Sequence, residues 1–302
     1  MERFLRQFGR ELVIGVPYAW LAVFFFLPFL ILAYISFVDM GNDIHPFKPL
    51  WDSASGVVNL KYENYLSIFR AEGRALFDTL YLEAYGRSLK YAFATATLCL
   101  ALGYPFAYFL ARASAHARPA LLMMVMLPFW TSFLLRVYAW KGILADQGLL
   151  NQLLMTLGLT SEPIQMLYTD VSMLVGMTYV YLPFMVLPLY ANLVKMDYGL
   201  LEAAYDLGAT PWMAFWLVTV PLSRAGIVAG FMLVFIPALG EFVIPSLLGG
   251  PENLMIGRVV WDEMFTANNW PRASALAVVM IAAIVVPLAL HYRHRAHAEA
   301  RH

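Results

Sequence analysis

The 302-residue chain contains a single cysteine and few charged residues. Cys99 has no partner for a disulfide within the chain, and its position in an apolar stretch favours a role as a small buried packing residue. Charged residues make up 13% of the sequence, against roughly 25% in soluble domains, whereas hydrophobic residues make up 61%. This composition excludes an ordinary soluble protein.

The sequence also lacks the motifs of nucleotide-binding proteins and of common enzymes. None of its lysines follows a glycine, so the chain has no Walker A loop with which to bind and hydrolyse ATP. No pattern for metal-dependent, serine or cysteine catalysis occurs, which makes an enzyme acting on lipid the weakest hypothesis. His291, His294 and His297 share one helical face of the tail, where a solvated basic tail is favoured over a metal site. We expect no metal, no catalytic residue and no nucleic acid partner.

Six apolar runs are long enough to cross the ~30 Å hydrocarbon core of a bilayer. They lie near residues 14–38, 91–111, 119–135, 171–194, 225–248 and 273–290. Each run contains a proline, which membrane helices tolerate when neighbouring helices or waters satisfy the freed carbonyl group. The first run is longer than the apolar core of a secretory signal, so we expect it to be retained. The sequence predicts an all-α integral membrane protein with six transmembrane helices in one domain, residues 1–302.

The distribution of lysine and arginine predicts that both termini face the cytoplasm. With this orientation, the cytoplasmic segments have a net positive charge and the outer segments a net negative charge. The largest outer segment is 39–90, and its second part, 64–90, has helix-like apolar spacing that suggests a scaffold over the bundle. The orientation also places the loop formed by residues 195–224 in the cytoplasm. We call this segment the elbow loop.

The elbow loop contains the stretch EAAYDLGATPWMAFWLVTVP at Glu202–Pro221. Its ordered positions are Glu202, Ala203, Ala204, Gly208, Val218, Val220 and Pro221. This spacing resembles the EAA loop of permease subunits of binding-protein-dependent ABC importers, with valine in place of the more usual isoleucine and leucine. The predicted orientation independently puts the loop on the side where an ATPase would lie. Pro221 is expected to close the unit before the fifth run.

Local signals predict the shape of the elbow loop. Asp197 can accept hydrogen bonds from exposed backbone N–H groups at the start of a helix over Leu200–Leu207. Gly208 suits the left-handed residue that ends a helix. Thr210 followed by Pro211 is the signal for the start of a second helix. The sequence therefore predicts a helix, a sharp bend and another helix.

The resemblance implies a role for this loop and a set of partners. In ABC importers of this type, the first helix of the loop lies in a cleft of the ATPase and transmits its closure to the membrane helices. By resemblance, that contact would be made by Glu202, Ala203, Ala204, Asp206 and Gly208. The implied assembly is a type I ABC importer of the bacterial inner membrane. It has a second homologous permease, an ABC ATPase dimer that binds ATP and Mg²⁺, and a periplasmic substrate-binding protein. An interfacial helix that merely connects two spans is the structural alternative.

Glu241 is the only ionisable residue deep within an apolar run. The flanking residues Pro237, Gly240 and Pro245 predict a bent or unwound segment that lines a cavity. The carboxylate could hold a cation in transit, or it could form an interhelix hydrogen bond within the subunit or to a second permease. A secondary transporter driven by protons, with Glu241 as the relay, is the alternative function. The absence of a second ionisable residue in any run counts against it.

Three aromatic residues near the end of the third run are further candidates for the substrate pathway: Trp130, Tyr138 and Trp140. Such rings could guide an amine by cation–π attraction, although anchoring of helix ends at the membrane surface is the favoured interpretation. Arg136 would repel an amine, so we expect it to pair with a carboxylate such as Asp262 or Glu263. Those two acids complete the candidate pathway.

Three further stretches resemble the putrescine/spermidine branch of these permeases. They are residues 127–140, 179–193 and 237–265. The resemblance implies a polyamine importer in which each permease contributes helices around a central pathway that opens alternately to the two sides. Composition alone does not name the substrate, and putrescine is not distinguished from spermidine.

Overall fold

The computed structural model describes residues 13–41, 46–51, 60–69 and 80–299, except for the side chains of residues 287–288 and 290–299. Within these ranges the regular structure is helical, and Met40 and Phe47 form an isolated antiparallel bridge. The chain divides into two compact units, Glu83–Arg258 and the remainder, which are described separately. Arg3, Arg6 and Arg10 lie outside the described residues.

The helices are, in chain order, α1 Val13–Ile35, α2 Glu63–Leu66, α3 Leu80–Arg112, α4 Arg118–Met126, α5 Phe133–Leu144, α6 Leu149–Thr156, α7 Asp170–Leu193, α8 Gly199–Asp206, α9 Pro211–Leu222, α10 Arg224–Leu239, α11 Val243–Leu248, α12 Ile256–Trp261 and α13 Trp270–Glu299. Short π-helical segments occupy Ala22–Phe26 in α1, Phe215–Thr219 in α9 and Asp262–Thr266 after α12.

Three of the described helices, α1, α3 and α7, are long and apolar enough to cross a membrane on their own. Two helix pairs meet the same criterion only together: the α4 and α5 region bends by 87°, and α9 and α10 bend by 67°. The apolar part of α13 is shorter and covers Trp270–Val286. The described residues therefore form a multi-pass helical membrane protein with three clear spans, or up to five with the bent pairs.

Two helical regions extend beyond the predicted apolar runs. Helix α3 covers Leu80–Arg112 and includes the charged residues at which the predicted run 91–111 stops. Glu83 accepts a hydrogen bond from Arg87 at 3.2 Å on the exposed side, an i,i+4 pair that suits a helix. The predicted outer loop 136–170 also contains most of α5 and all of α6.

Helices α7 and α10 form the centre of the unit Glu83–Arg258. The spacing of Gly226 and Gly230 predicts close helix approach, and the structure confirms it. A Cβ atom at Gly226 would lie 2.8 Å from Cβ of Asn192, and one at Gly230 would lie 2.8 Å from Sδ of Met185. The two glycines therefore let α10 lie directly against the side chains of α7.

Buried polar contacts join α3 to the rest of the same unit. The Tyr91 hydroxyl donates to Asn253 at 2.9 Å, and Ser88 Oγ accepts from the backbone N–H of Ile256 at 2.8 Å. Cys99 is buried with its Sγ 3.5 Å from the carbonyl of Thr178 in α7, which confirms its predicted packing role. These bonds satisfy polar groups that would otherwise be costly in an apolar interior.

In the other unit, α13 packs against α1 and α2. Asn64 donates to the carbonyl groups of Ser36 at 2.9 Å and Val38 at 2.8 Å, which ties α2 to the end of α1. The predicted helical spacing over 64–90 corresponds to α2 and to the start of α3. Residues 70–79 between them, including Leu76, lie outside the described residues.

Candidate functional site

Helix α8 of the elbow loop begins where the sequence predicts, within one residue. Asp197 Oδ1 accepts a hydrogen bond at 2.9 Å from the backbone N–H of Gly199, the first helical residue. This bond satisfies one of the N–H groups that a helix start leaves without a partner. Asp197 therefore accepts a hydrogen bond from the start of the helix as predicted, although Tyr198 occupies the N-cap position.

The end of α8 is fixed by backbone hydrogen bonds around Gly208. Gly208 has φ +85°, the left-handed conformation that a side chain would strain. The N–H of Gly208 donates to Tyr205 at 2.9 Å, and the N–H of Ala209 donates to Ala204 at 3.0 Å. This pair of bonds is a Schellman motif, and it confirms the predicted glycine stop.

Helix α9 starts at the predicted signal but does not end at the predicted proline. Thr210 Oγ1 accepts from the N–H of Met213 at 3.3 Å, and Pro211 is the first helical residue. Pro221 lies in the last turn of α9, in the α-helical segment Val220–Leu222, where it lacks the N–H that would continue the helical hydrogen bonds. The chain therefore bends at Ser223, after Leu222, and not at Pro221.

Helix α8 of the elbow loop presents an exposed surface and has one buried residue. Leu201 is 3% exposed and holds α8 to the unit, whereas the next residues, Glu202 and Ala203, are exposed. Ala204 is half-buried, and Asp206 and Gly208 are exposed. Leu207 is 89% exposed at the end of the helix. A small helix with a free carboxylate and an uncovered leucine is suited to contact with another protein.

Two hydrogen bonds tie the elbow loop to the cytoplasmic end predicted for α3. The Tyr198 hydroxyl donates to the carbonyl of Ala111 at 3.3 Å. At the other end of the loop, the hydroxyls of Tyr104 and Ser223 share a buried hydrogen bond of 2.8 Å. Phe215 packs edge-on against Tyr104 with ring centroids 5.5 Å apart. Both arms of the loop therefore contact the same transmembrane helix.

Glu241 lies in a break between α10 and α11, as the flanking prolines and glycine predict. Its Oε1 atom accepts hydrogen bonds from the N–H groups of Val243 at 3.0 Å and Ile244 at 3.3 Å. Its Oε2 atom accepts a 2.6 Å hydrogen bond from the hydroxyl of Tyr181 in α7. The carboxylate thus caps α11 and bonds to a neighbouring helix, which is the interhelix alternative within the subunit.

The backbone around Glu241 is supported by a glycine from α12. A Cβ atom at Gly257 would collide with the carbonyl of Gly240 and lie 2.8 Å from that of Glu241. Tyr181 was not among the sequence candidates, although a tyrosine inside an apolar run requires a partner for its hydroxyl. Because Glu241 is the lone acid within the apolar runs, this need for a hydrogen-bond partner could have predicted the contact between Tyr181 and Glu241.

The aromatic candidates differ in exposure. Trp130 is 71% exposed at the end of a 3₁₀ turn after α4, and Tyr138 is 54% exposed on α5. Trp140 is half-buried, with its ring centroid 5.5 Å from that of Tyr179. Among the ring contacts and hydrogen bonds of the described residues, none joins these three side chains to Glu241.

The predicted ion pair of Arg136 with Asp262 or Glu263 stays a prediction. Its Nε and Nη1 atoms are buried and have no acceptor among the described residues, while the guanidinium lies 5.9 Å from the ring centroid of Phe129. Asp262 and Glu263 belong to the other unit, where Glu263 accepts a 2.6 Å hydrogen bond from the hydroxyl of Tyr81.

Within the described residues, no group of three or more histidine, cysteine, aspartate or glutamate side chains is placed to hold a metal ion. The side chains of His291, His294 and His297 lie outside the described residues.

A family model for the binding-protein-dependent transport system inner membrane component matches residues 100–296, and the chain belongs to this family. It is 35% identical over 285 residues to the spermidine/putrescine transport system permease protein PotB of Haemophilus influenzae, covering 94% of this chain and 93% of that protein. Identity to the PotB protein of Escherichia coli K12 is 38% over 275 residues, covering 91% and 93%.

The fold is also found in a solved structure. The chain resembles a subunit in the crystal structure of a bacterial ABC transporter that imports the acidic polysaccharide alginate. The TM-score is 0.63 at 19% identity, and the match covers 97% of this chain and 99% of that one. At this identity the likeness establishes the fold, which is that of an ABC importer permease in an inner membrane protein.

Proposed function

We propose that the chain is one of two homologous permease subunits of an ATP-driven polyamine importer. Six helices cross the membrane with both termini in the cytoplasm, and the chain forms half of the translocation pathway in a single membrane domain. A periplasmic binding protein delivers the substrate. An ABC ATPase dimer binds ATP and Mg²⁺, whereas this chain binds neither and needs no cofactor of its own.

The observation that carries the proposal is the geometry of helix α8. Its carboxylate at Glu202 and its apolar end at Leu207 are exposed, and both of its ends are fixed by hydrogen bonds. A connector that only joined two spans would not need a rigid, exposed helix with two capped ends. We assign the ATPase contact to Glu202, Ala203, Ala204, Asp206 and Gly208.

The contacts from the elbow loop to α3 and α10 support a route by which movement of the ATPase reaches the transmembrane helices. Tyr198 bonds to the end of α3, and Ser223 at the start of α10 bonds to Tyr104 of α3. A displacement of α8 toward or away from an ATPase would therefore act on two spans at once.

The polyamine substrate rests on the two PotB relatives, whose names specify spermidine and putrescine transport. The chemistry of the chain agrees with a cationic cargo. Trp130 and Tyr138 present exposed ring faces to which an ammonium group is attracted. Glu241 accepts three hydrogen bonds, which leaves one of the roughly four acceptor sites of its carboxylate for an ammonium group. Trp140, Asp262 and Glu263 are the remaining pathway candidates.

The test combines copurification with uptake. The tagged chain should copurify with a second permease and an ATPase encoded beside it, and the assembly should take up labelled putrescine or spermidine only when ATP is supplied. Loss of the ATPase subunits should abolish uptake. Uptake that persists without any ATPase would contradict the proposal and favour a proton-driven transporter.

A further inference from the structure

An apolar groove of about 260 Å³ lies between α3, α4 and α7. Leu110 from α3, Leu121 and Val125 from α4, and Val186 from α7 contribute to its walls. Among all its lining residues, only Tyr179 carries a polar side-chain atom. Such a surface repels water and favours a hydrocarbon ligand.

The groove opens to the outside of the unit. Its lining residues Phe106, Phe109 and Met124 are each more than half exposed. All three helices belong to the membrane-spanning part of the chain, so the mouth of the groove faces either lipid or another apolar helix.

Two arginines stand at one end of this groove. Arg112 follows the lining residue Phe109 by three positions, a rise of ~4.5 Å along α3 that makes the two residues neighbours on the helix surface. Arg118 precedes the lining residue Leu121 by three positions, a rise of ~4.5 Å along α4. The connecting residues 113–117 contain no acid, and neither arginine forms an ion pair with a described residue.

Existing hydrogen bonds position both guanidinium groups without neutralising them. Arg118 donates from Nε to the carbonyl of Ala113 and from Nη2 to that of Ala111, both at 2.8 Å, which leaves Nη1 for an external acceptor. Arg112 donates from Nη1 to the hydroxyl of Tyr108 at 2.9 Å, and its guanidinium lies 5.2 Å from the ring centroid of Tyr108 and 5.7 Å from that of Tyr198, while the residue is exposed to solvent. Their positive charge is therefore held at the end of an apolar groove.

We propose that this groove binds an anionic phospholipid of the cytoplasmic leaflet, with an acyl chain in the groove and the phosphate between Arg112 and Arg118. Arginine is well suited to bind phosphate, and basic residues near the cytoplasmic surface attract anionic lipids. A helix of the second permease is ~10 Å wide and would not enter a groove of this volume, whereas a hydrocarbon chain would. The inference rests on the proposed orientation, in which this end of α3 is cytoplasmic, but not on transport.

The test measures lipid bound to the purified assembly. The complex is reconstituted in nanodiscs of phosphatidylethanolamine with a minor fraction of phosphatidylglycerol, and retained lipids are counted by native mass spectrometry. Wild type should retain phosphatidylglycerol. Arg112→Gln should weaken its apparent affinity about fivefold, and Arg112→Lys should restore most of it. Val125→Trp, which fills the groove, should remove the retained lipid.

Matched controls separate this site from general effects of charge or bulk. Arg224 is an exposed cation at the start of α10, a helix that lines no part of the groove, and Leu98 is an exposed leucine of α3 outside it. Arg224→Gln and Leu98→Trp should retain lipid as wild type does. All counts come from assemblies that elute with the wild-type size, so that misfolded variants do not enter the comparison.

Equal retention by wild type, Arg112→Gln and Val125→Trp would overturn the proposal. So would a crosslink from a Val125→Cys variant to a transmembrane helix of the second permease. Because the readout is bound lipid, its failure is distinct from a failure of the polyamine importer assignment, which would appear as absent uptake.

Discussion

Two of the helix breaks in the described residues differ in how the free backbone groups at the break are satisfied. At the elbow loop, α8 ends by backbone bonds around Gly208, and the nearby carboxylate of Glu202 makes no contribution to that end. Between α10 and α11, the carboxylate of Glu241 supplies the acceptors itself. One break leaves a glutamate free, and the other uses a glutamate to build the fold.

This difference separates binding from stability. An exposed glutamate on a helix with self-sufficient ends is available to another protein, and its removal costs the fold little. A glutamate that accepts three hydrogen bonds at a helix break holds that break together, and its removal leaves the donors without partners. Four substitutions test whether the two breaks differ in this way.

The largest effect is expected from Glu202→Lys. Reversal of the exposed charge on α8 should reduce polyamine uptake at least about tenfold through loss of the ATPase contact. Labelled uptake in vesicles, with immunoblotting for membrane insertion, measures the effect. Glu252→Lys, at another exposed acid, is the control and should transport normally. Normal transport by Glu202→Lys would remove the coupling role from α8.

The next largest effect is expected for Glu241→Ala. The variant should lower the free energy of unfolding by about 3 kcal/mol, because two backbone N–H groups and the Tyr181 hydroxyl lose their acceptor. Thermal unfolding in detergent provides the measurement, and Glu202→Ala, expected within about 0.5 kcal/mol of wild type, is the control. Equal stability of the two variants would show that the breaks do not differ.

Tyr181→Phe isolates the hydrogen bond between helices. It should destabilise the protein by about 2 kcal/mol, because a hydrogen bond to a carboxylate is lost while the ring packing is kept. Unfolding and uptake are measured together, along with Glu241→Gln. A structural role moves stability and leaves the apparent affinity for polyamine unchanged. A change in that affinity would instead place Glu241 in the substrate pathway.

The smallest effect is expected for Gly208→Ala. Its positive φ should cost about 1 kcal/mol in the free energy of unfolding, because alanine is strained in the left-handed region. Gly158, also at positive φ in an exposed turn with open space around it, provides the matched control for this strain. Gly158→Ala should cost a similar amount without affecting uptake. A Gly208→Ala variant as stable as wild type would contradict the glycine stop.

The elbow loop could be predicted because its signals are local. Asp197, Gly208 and the pair Thr210 and Pro211 each act on backbone groups within three residues, so the sequence contains the whole interaction. The break at Glu241 was predicted for the same reason, from its neighbouring prolines and glycine. Helix–helix packing through Gly226 and Gly230 also follows from a short spacing.

The contacts made across the fold could not be predicted in the same way. The partner of Glu241 is Tyr181, sixty residues away in sequence, and only the packing of α7 beside α10 brings them together. The 87° bend between α4 and α5 arises where Thr131 is extended. The predicted apolar run 119–135 continues through this position, so hydrophobicity alone did not indicate the bend. Residues 80–90 were predicted to have helical spacing but were placed in the outer segment, because charge and not helical continuity set the boundary of the apolar run.

Only Leu207, Gly208, Ala209 and Thr210 separate α8 from α9, and hydrogen bonds hold the chain at both ends of this linker. A linker this short leaves α8 and α9 little freedom to move independently of each other. Under the proposed coupling role, a displacement of α8 would therefore be passed to α9 and α10 with little loss. One residue inserted in this linker would change the position of α8 relative to α9 without altering the exposed surface of α8.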